Sequence, residues 1–495
     1  MKYNLNFFSF IFISLFTINS IKSARHTKEE WKSRTIYQLL TDRFALPNDD
    51  DIAKCSMFNE SCGGNYQGII NHLDYIKGMG FGAIWISPPL KNKEGSYHGY
   101  HNIDINSLNE HFGNETLLRR LITECHDRDI WVILDFVPNH MAGGLGISTF
   151  IPFNMKEHYH SLTDADCKGH WDEQPYKENC SIWGLPDLNH ENSYVNSTLI
   201  NWLKDNVTKY DFDGVRYADV PNVPTWFWNN LTHVLDGMYT IGVFDSQDVD
   251  YVASYQNYMD GVADFPLLYQ LRNSFCEGSM LDLDDYIQNI HSKYKNPQYN
   301  GIWFDNHDKE RFLYECPTGI KPKGLKNVII FTLFFKGIPI FYYGDEQYLA
   351  EGGEPDKRRQ PLFGNYDEES DIYQAIKIAH QVRNEYKIYD IDDLVVKYVD
   401  ENNIVFTRGN DVMIAVNKGL VQTINVPNNG LINKDKFCNR LKVGDCIRED
   451  EDYIRIEMDG QPKIFTRKSR GEIVYISNCL LLFLILLSRH HFQLQ

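Results

Sequence analysis

Short runs of almost continuous apolar residues recur along the chain, separated by stretches with a helical apolar pattern. The apolar runs are GAIWIS at 82–87, WVILDFV at 131–137, DGVRYADV at 213–220 and GIPIFYYG at 337–344. LLRRLITECHDRD, at 117–129, is an example of the helical stretches. Buried parallel strands with crossover helices give such an alternation, so the pattern predicts an α/β protein from about Ile36 to Tyr389.

The alternation breaks twice. Between Met141 and Asn192 lies an excursion containing Pro and Cys, and it is too long for an ordinary loop. It is therefore interpreted as a small inserted domain over 141–192. After about Tyr389 the helical pattern stops, and alternating runs such as NIVFTRG and DVMIAVN predict a C-terminal antiparallel β-sandwich over 390–465.

Both ends of the chain carry apolar runs of a different kind. Leu5–Ile18 is rich in Phe, Ile and Leu and is followed by small residues, which predicts a signal peptide over 1–23. At the other end, Ile473–Leu487 follows the basic string KIFTRKSR, and 466–495 is interpreted as a membrane-anchoring tail. The run is shorter than the roughly 17–25 residues of a spanning helix, so a GPI signal and a single transmembrane segment stay open.

Charge and cysteine content further restrict the class of ligand and the type of protein. The chain has 49 Lys and Arg against 67 Asp and Glu, a net charge of −18, which argues against nucleic-acid binding and suits a neutral ligand such as sugar. Six Asn-X-Ser/Thr sequons predict a glycoprotein; they begin at Asn59, Asn114, Asn179, Asn196, Asn206 and Asn230. In a secreted chain the cysteine spacing suggests disulfides between 55 and 62, 167 and 180, and 438 and 446; 276 and 316 could also pair, which leaves Cys125 and Cys479 free.

Polar residues follow three of the predicted strands. LDFVPNH at 134–140 ends in Asp, Asn and His, DGVRYAD supplies Arg216, and WFDNHD at 303–308 ends with His307 and Asp308. Chemistry at the C-terminal ends of parallel strands is typical of barrel enzymes. One such pair is weak support, but three in this order are specific.

Longer strings resemble the fungal α-amylases of glycoside hydrolase family 13. These strings are IYQLLTDRFA, CGGNYQGIINHLDYIKGMGFGAIWISP, YHGYHNIDINSLNEHFG, GLPDLN, YQNYMDGV and GIPIFYYGDEQ. The similarity extends from about Trp31 to Ile464. It implies a (β/α)₈ TIM barrel formed by 24–140 and 193–389, with the small domain inserted after the third strand. The expected ligand is α-1,4-glucan or a maltooligosaccharide, and a monomer is expected.

The resemblance also identifies catalytic positions. The family uses an Asp nucleophile, a Glu acid/base and a second Asp that stabilises the transition state. The third carboxylate matches Asp308, but Ala218 stands at the nucleophile position and Val243 at the acid/base position. Retaining hydrolysis needs two carboxyls about 5–5.5 Å apart, so the chain is expected to be catalytically impaired.

Two neighbouring carboxylates are the alternative catalytic groups. Asp219 follows Ala218, and Asp245 lies two residues after Val243. Side chains alternate along a strand, so Asp219 is expected to point away from the barrel mouth unless a bulge intervenes. Asp245 could face the mouth but would lie further out.

The remaining family positions imply a sugar site and a calcium site. The substrate-binding or supporting residues matched by the resemblance are His98, Tyr100, Asp135, His140, Arg216, His307 and Arg358. The implied Ca²⁺ ligands are Asn139, Glu178, Asp187 and the backbone carbonyl of Asn222. Hard oxygen donors suit Ca²⁺; the alternative is a hydrogen-bonded polar patch that joins the inserted domain to the barrel.

Two functions are compatible with the sequence. The first is an α-glucan-binding or scaffolding protein of the cell surface or secretory pathway. The second is an active α-amylase or transglycosidase that uses relocated carboxylates. Fold alone cannot separate them, because the site carries the function.

Overall fold

The computed structural model describes residues 26–48, 55, 58–316, 322–429, 437–447 and 452–467. The predicted signal peptide at 1–23 and the predicted tail beyond Arg467 lie outside these ranges, as does Cys479. None of the helices within them is both long and apolar enough to cross a membrane.

The N-terminal part of the chain holds ten described strands and most of the helices. The strands are β1 (Ile36–Gln38), β2 (Ala83–Trp85), β3 (Leu90–Asn92), β4 (Asn102–Leu108), β5 (Trp131–Phe136), β6 (Gly214–Ala218), β7 (Tyr239–Val243), β8 (Gly261–Val262), β9 (Gly301–Ile302) and β10 (Ile338–Tyr342). The helices are α1 (Lys28–Trp31), α2 (Thr41–Phe44), α3 (Tyr66–Asn71), α4 (Leu73–Met79), α5 (Glu115–His126), α6 (Asp164–Cys167), α7 (Gln174–Lys177), α8 (Ser193–Tyr210), α9 (Thr225–Val234), α10 (Val249–Ser254), α11 (Phe265–Cys276), α12 (Met280–Asp285), α13 (Phe312–Glu315), α14 (Lys323–Phe334) and α15 (Asp371–Glu385).

Eight of these strands form one parallel sheet in the order β8-β7-β6-β5-β2-β1-β10-β9. A parallel bridge between Ala263 and Gly301 joins its two ends, so the sheet curls into a nearly closed barrel. The predicted TIM barrel is confirmed. The antiparallel hairpin β3–β4 lies outside it.

Side chains of the barrel strands alternate between two faces that are both buried, which explains why the strands appear in the sequence as continuous apolar runs. All six residues of β5 are buried. Ile133 packs in an interior cluster with residues such as Ile241, whereas its neighbours Val132 and Leu134 belong to the larger cluster that includes the helices. A parallel strand covered on both faces is apolar at nearly every position; the exception in β5 is Asp135, next to its C-terminal end.

The segment between β5 and α8 has little regular structure. Over 141–192 it contains only α6, α7 and short 3-10 turns. Its cysteines form the disulfide Cys167–Cys180, and the pairs 55–62 and 438–446 also form as predicted. Cys276 and Cys316, whose pairing the sequence left open, form a fourth disulfide. Cys125 is free and buried.

The C-terminal part is a pair of antiparallel sheets. Its strands are β11 (Leu394–Val399), β12 (Asn403–Arg408), β13 (Val412–Asn417), β14 (Val421–Pro427), β15 (Phe437–Asn439), β16 (Cys446–Ile447), β17 (Tyr453–Asp459) and β18 (Lys463–Arg467). The larger sheet has the order β11-β12-β13-β18-β15-β16, and β14 pairs with β17. Alternate residues of both sheets, such as Met413 and Ile456, meet in one buried cluster. This packing is that of the predicted sandwich.

Candidate active site

The parallel register brings the strand-end residues of the sequence motifs to one edge of the barrel. Asp135 on β5 is the register partner of Arg216 on β6, and Ala218 at the end of β6 is the partner of Val243 at the end of β7. Active sites of barrel enzymes form at this C-terminal edge.

A buried ion pair lies at the base of the site. Nη1 of Arg216 donates to Oδ1 of Asp135 at 2.8 Å, while Trp85 Nε1 and the Tyr100 hydroxyl donate to Oδ2 at 2.9 and 2.7 Å. Burial disfavours the charged guanidinium, but Asp135 and Tyr100 outweigh it and raise the pKa of Arg216. Asp135 is therefore the carboxylate that accepts from the Arg216 guanidinium. The Nε of Arg216 is buried without a hydrogen-bond partner among the described residues.

Tyr100 and two histidines form an aromatic wall. The Tyr100 ring stacks on His307, with centroids 5.3 Å apart and 6° between the planes. It also stacks on His98, whose Nδ1 accepts from the Tyr100 backbone N–H at 3.0 Å. Nε2 of His140 lies 3.1 Å from the Tyr100 carbonyl oxygen. These are four of the residues that the resemblance placed in the sugar site.

His307 is held in one tautomer by its neighbours. Its Nδ1 lies 2.6 Å from the Gln38 amide nitrogen, which must donate, so the ring proton is on Nε2. That nitrogen lies 3.4 Å from Oδ2 of Asp308. Burial lowers the pKa of His307 to about 4, so the ring is neutral at pH 7.

Asp308 is ionised and reaches the cavity, with its side chain 48% exposed. Partial desolvation opposes ionisation, but His307, Arg359 and Arg216 outweigh it and lower the pKa of Asp308. Nη2 of Arg359 lies 3.3 Å from Oδ1. Arg358, which the resemblance assigned to the sugar site, instead bonds the backbone carbonyl of Asp308 and does not line the cavity.

These side chains surround a cavity of about 230 Å³. Its lining residues are His98, Tyr100, His101, His140, Trp183, Leu185, Arg216, Ala218, Asp219, His307, Asp308 and Arg359. Sequence reasoning missed His101, Trp183, Leu185 and Arg359. His101 and Arg359 adjoin matched positions, and GLPDLN begins directly after Trp183, so proximity to a motif was the available signal.

Ala218 and Val243, to which the resemblance assigned the nucleophile and acid/base positions, hold no acid. Ala218 is buried and lines the cavity with a methyl group only. Val243 is buried and packs in the interior cluster with residues that include Trp303 and Phe265. Neither residue can donate a proton or attack a sugar carbon.

Asp219 lies where it was not expected. Its backbone is left-handed, with φ 50° and ψ 42°, and this conformation breaks the strand alternation immediately after Ala218. The Asp219 side chain consequently lines the cavity, with Oδ2 3.5 Å from Nδ1 of His140. The prediction that Asp219 points away from the barrel mouth is wrong, because that prediction assumed an extended backbone.

Asp245 is paired with neighbouring side chains at the C-terminal edge of the barrel, outside the cavity. Its Oδ2 pairs with Lys309, and its Oδ1 accepts from the Tyr269 hydroxyl at 2.7 Å. It does not line the cavity. Of the two alternative carboxylates, Asp219 alone is in place to meet a ligand.

Three of the residues implied as calcium ligands meet beside the cavity, and Glu178 is connected to them only through a neighbouring amide. The Asn139 amide oxygen, as oriented, is 3.1 Å from Oδ1 of Asp187 and 2.8 Å from the Asn222 carbonyl oxygen; turning the amide over would make two hydrogen bonds instead. Glu178 accepts from the Gln174 amide at 2.7 Å. That amide also donates to the carbonyl of the residue before Asn222, at 2.9 Å. Oxygens facing one another in a buried place fit a hard cation between them.

Asp187 is a buried carboxylate that its neighbours compensate only in part. Burial raises its pKa to about 7, and His160, whose Nδ1 lies 2.6 Å from Oδ2, acts against this rise. Among the described residues, no group of three or more His, Cys, Asp or Glu side chains forms a metal site. The donor set here is different, since it has two carboxylates, one amide and one carbonyl.

Comparison with known proteins identifies the relatives of this arrangement. The model of the α-amylase catalytic domain matches residues 38–438. The α-amylase of Saccharomycopsis fibuligera is 32% identical over 461 residues, which are 88% of this chain and 92% of that protein. Alpha-amylase 1 of Schwanniomyces occidentalis is 31% identical over 486 residues, with 91% and 93% covered.

Solved structures show the same architecture. The α-amylase from Malbranchea cinnamomea superposes with a TM-score of 0.80 at 31% identity, covering 89% of this chain and 98% of that one. The α-amylase from Geobacillus thermoleovorans, solved in complex with acarbose, has a TM-score of 0.79 at 30% identity, with 89% and 99% covered. With the barrel, the strand-end residues and these relatives in agreement, the chain belongs to the α-amylase family, glycoside hydrolase family 13.

Proposed function

We propose that this protein binds α-1,4-glucan in the barrel cavity and is catalytically impaired. The observation that carries the proposal is the pair Ala218 and Val243, which place a methyl group and an isopropyl group at the family's nucleophile and acid/base positions. Loss of such a group typically lowers kcat by about 10⁴–10⁶-fold.

The rest of the cavity supports sugar binding. The relatives are α-amylases by name, and one of them was solved with acarbose. In this chain the ionised Asp308, the donors of Arg216 and Arg359, and the Tyr100 ring still line the cavity. Hydrogen-bonding groups beside an aromatic face suit a pyranose ring, which offers hydroxyls at its edge and C–H bonds on its face.

Ca²⁺ is proposed as the cation of the adjacent oxygen cluster. Asn139, Glu178, Asp187 and the Asn222 carbonyl would hold it. Its role would be structural, because His140 and Asp187 form an antiparallel bridge between the end of β5 and the 141–192 segment.

The predicted signal peptide, sequons and C-terminal tail support a place in the secretory pathway, with the protein extracellular or at the cell surface. The sequon residues Asn59, Asn114 and Asn230 are exposed, and the others are half-buried. Whether the tail is a GPI signal or a transmembrane segment is part of the proposal that stays open.

A second function has one specific observation in its favour. Asp219 lines the cavity beside His140 and could act as a relocated nucleophile. Against it stands the acid/base position, since Val243 has no proton to give and Asp245 is paired with Lys309. A relocated nucleophile without an acid would still leave the glucosyl–oxygen bond hard to break.

Hydrolysis of a chromogenic maltooligosaccharide by the purified protein tests the proposal. We expect no turnover near ordinary enzyme rates, and reversible binding of the same oligosaccharide. Turnover at ordinary rates that Asp219→Asn abolishes would overturn the proposal in favour of the relocated nucleophile. Absence of both turnover and binding would overturn it as well.

A further inference from the structure

Trp183 is the most exposed of the nine tryptophans, all of which lie in the described residues. It is 86% exposed, whereas Trp31, Trp85, Trp228 and Trp303 are buried. Burial is the usual reason for a tryptophan in a folded protein, because of its large apolar area. Packing does not account for this one.

Its backbone conformation is also unfavourable. The Leu185 N–H donates to the Ile182 carbonyl at 2.9 Å, and the two central residues, Trp183 and Gly184, have φ values of +50° and +73°. Positive φ at both central positions is the geometry of a type I′ turn, which favours Asn, Asp and Gly. A bulky residue at such a φ is strained, and strain of this kind concentrates at functional sites.

The turn is held in place by contacts on both sides. Cys180 precedes it and is tied to Cys167 by a disulfide. On the other side, the Met141 N–H donates to the Pro186 carbonyl at 3.0 Å. A Cβ added to Gly143 would lie 3.0 Å from the Gly184 carbonyl oxygen, so the turn sits directly on the loop that follows β5.

The Trp183 side chain, which this turn carries, lies at the cavity. Trp183 lines it together with Leu185, Arg216 and Asp219. Because the turn is fixed, the exposed indole can present an apolar face to a ligand at small cost in conformational entropy. Preorganised sites gain affinity in this way.

We propose that Trp183 is a stacking platform for one glucose ring of the bound α-glucan, and that it determines how tightly chains extending beyond the central sugar are held. The inference rests on the proposed glucan binding. It assigns to the 141–192 segment a direct contact with ligand, in addition to any role in holding a cation.

Trp183→Asn tests it, because Asn suits the turn while removing the indole. Maltoheptaose is titrated by calorimetry into wild type, Trp183→Asn and Trp171→Asn. Trp171 is the matched control, since it lies in the same segment, is 44% exposed and does not line the cavity. We expect Trp183→Asn to bind about tenfold more weakly, as loss of an aromatic contact would give, with an unchanged or higher Tm. Trp171→Asn should bind like wild type.

A second readout is the emission of the exposed indole. Maltoheptaose should shift the tryptophan emission of wild type to shorter wavelength, and the shift should be absent in Trp183→Asn; cellohexaose, with β-linkages, should cause none. Equal affinity of Trp183→Asn and wild type would overturn the inference and leave the proposed function intact. A fall in Tm that accounts for the lost binding would also overturn it, since the residue would then be structural. No binding by wild type would instead refute the proposed function.

Discussion

Ala218 and Val243 are register partners on the adjacent strands β6 and β7, directly opposite each other at the C-terminal edge of the barrel. The resemblance assigns the nucleophile and acid/base roles to these two neighbouring positions, and neither holds an acid. Ala218 lines the cavity, whereas Val243 packs in the interior of the barrel. At the same edge of β5 and β6, Asp135 and Arg216 form a buried ion pair.

Restoring both carboxylates should restore hydrolysis. In Ala218→Asp/Val243→Glu we expect turnover of a chromogenic maltooligosaccharide to rise by about 10³-fold or more over wild type, since each group is worth several orders of magnitude. Asp308, which the wild type retains, completes the set. Because Val243 is buried, Tm is measured together with activity. The single variant Ala218→Asp, which leaves Val243 unchanged, is assayed with an activated maltosyl fluoride. A folded double variant without activity would show that more than these two groups is missing.

Glucan binding should depend on Asp308. Asp308→Ala and Tyr100→Ala remove a charged acceptor and an aromatic face from the cavity, and we expect maltooligosaccharide Kd, about millimolar for wild type, to rise about tenfold or beyond measurement in NMR titrations. Asp245→Asn is the matched control, because that carboxylate lies at the same edge outside the cavity and pairs with Lys309. Unchanged binding in both test variants would mean that the cavity is vestigial.

Calcium should stabilise the fold. A cation that binds only the native state adds about 2.7 kcal/mol at a hundredfold excess over Kd, which corresponds to several degrees in Tm for a chain of this size. We expect EDTA to lower Tm and added Ca²⁺ to reverse the effect. In Asp187→Asn the EDTA effect should vanish, whereas Glu191→Gln, which alters the exposed partner of His160, should retain it. If wild type shows no response to EDTA, the oxygen cluster is a hydrogen-bonded patch.

Acidification should destabilise the protein through its buried histidines. Burial lowers the pKa of His190 and His380 to about 3 and that of His307 to about 4. Below the ordinary histidine pKa of 6.5 the unfolded chain binds protons that the folded chain does not. The free energy of unfolding therefore falls as pH drops from 6.5 toward about 4 for His307 and toward about 3 for His190 and His380.

The slope of this loss can be measured. Each such histidine contributes about 1.4 kcal/mol per pH unit to this fall, whereas Asp187, whose buried carboxyl has its pKa raised to about 7, contributes a slope of the opposite sign. The test is therefore the difference in slope between wild type and single variants, measured as the free energy of unfolding in urea titrations between about pH 6 and pH 4.5. His380→Asn should reduce the slope by about one proton, and His233→Asn, at an exposed position, should not. An unchanged slope in His380→Asn would contradict the assignment of a neutral buried histidine.

Periodicity and short motifs were enough to predict the architecture. Fully buried strands such as β5 are apolar at almost every position, and polar residues are found toward their C-terminal ends. The motifs that supply His140, Arg216 and Asp308 therefore indicated where the site lies. The long ordered strings that resemble α-amylases set the alignment, and with it the absence of acids at Ala218 and Val243. These conclusions depend on residue identity and spacing, both of which are present in the sequence.

What the sequence could not determine depends on backbone conformation and on contacts between distant segments. Asp219 turns into the cavity because its own φ is positive, and no periodicity predicts a single left-handed residue. Arg359 rather than Arg358 reaches the Asp308 carboxylate, since a loop rather than a regular element sets their directions. Trp183 comes to the cavity because a turn of the 141–192 segment is held against the loop that follows β5, about 40 residues earlier in the chain. Strand periodicity is local and can be read from the sequence, whereas the direction of a loop side chain is set by the tertiary packing around it.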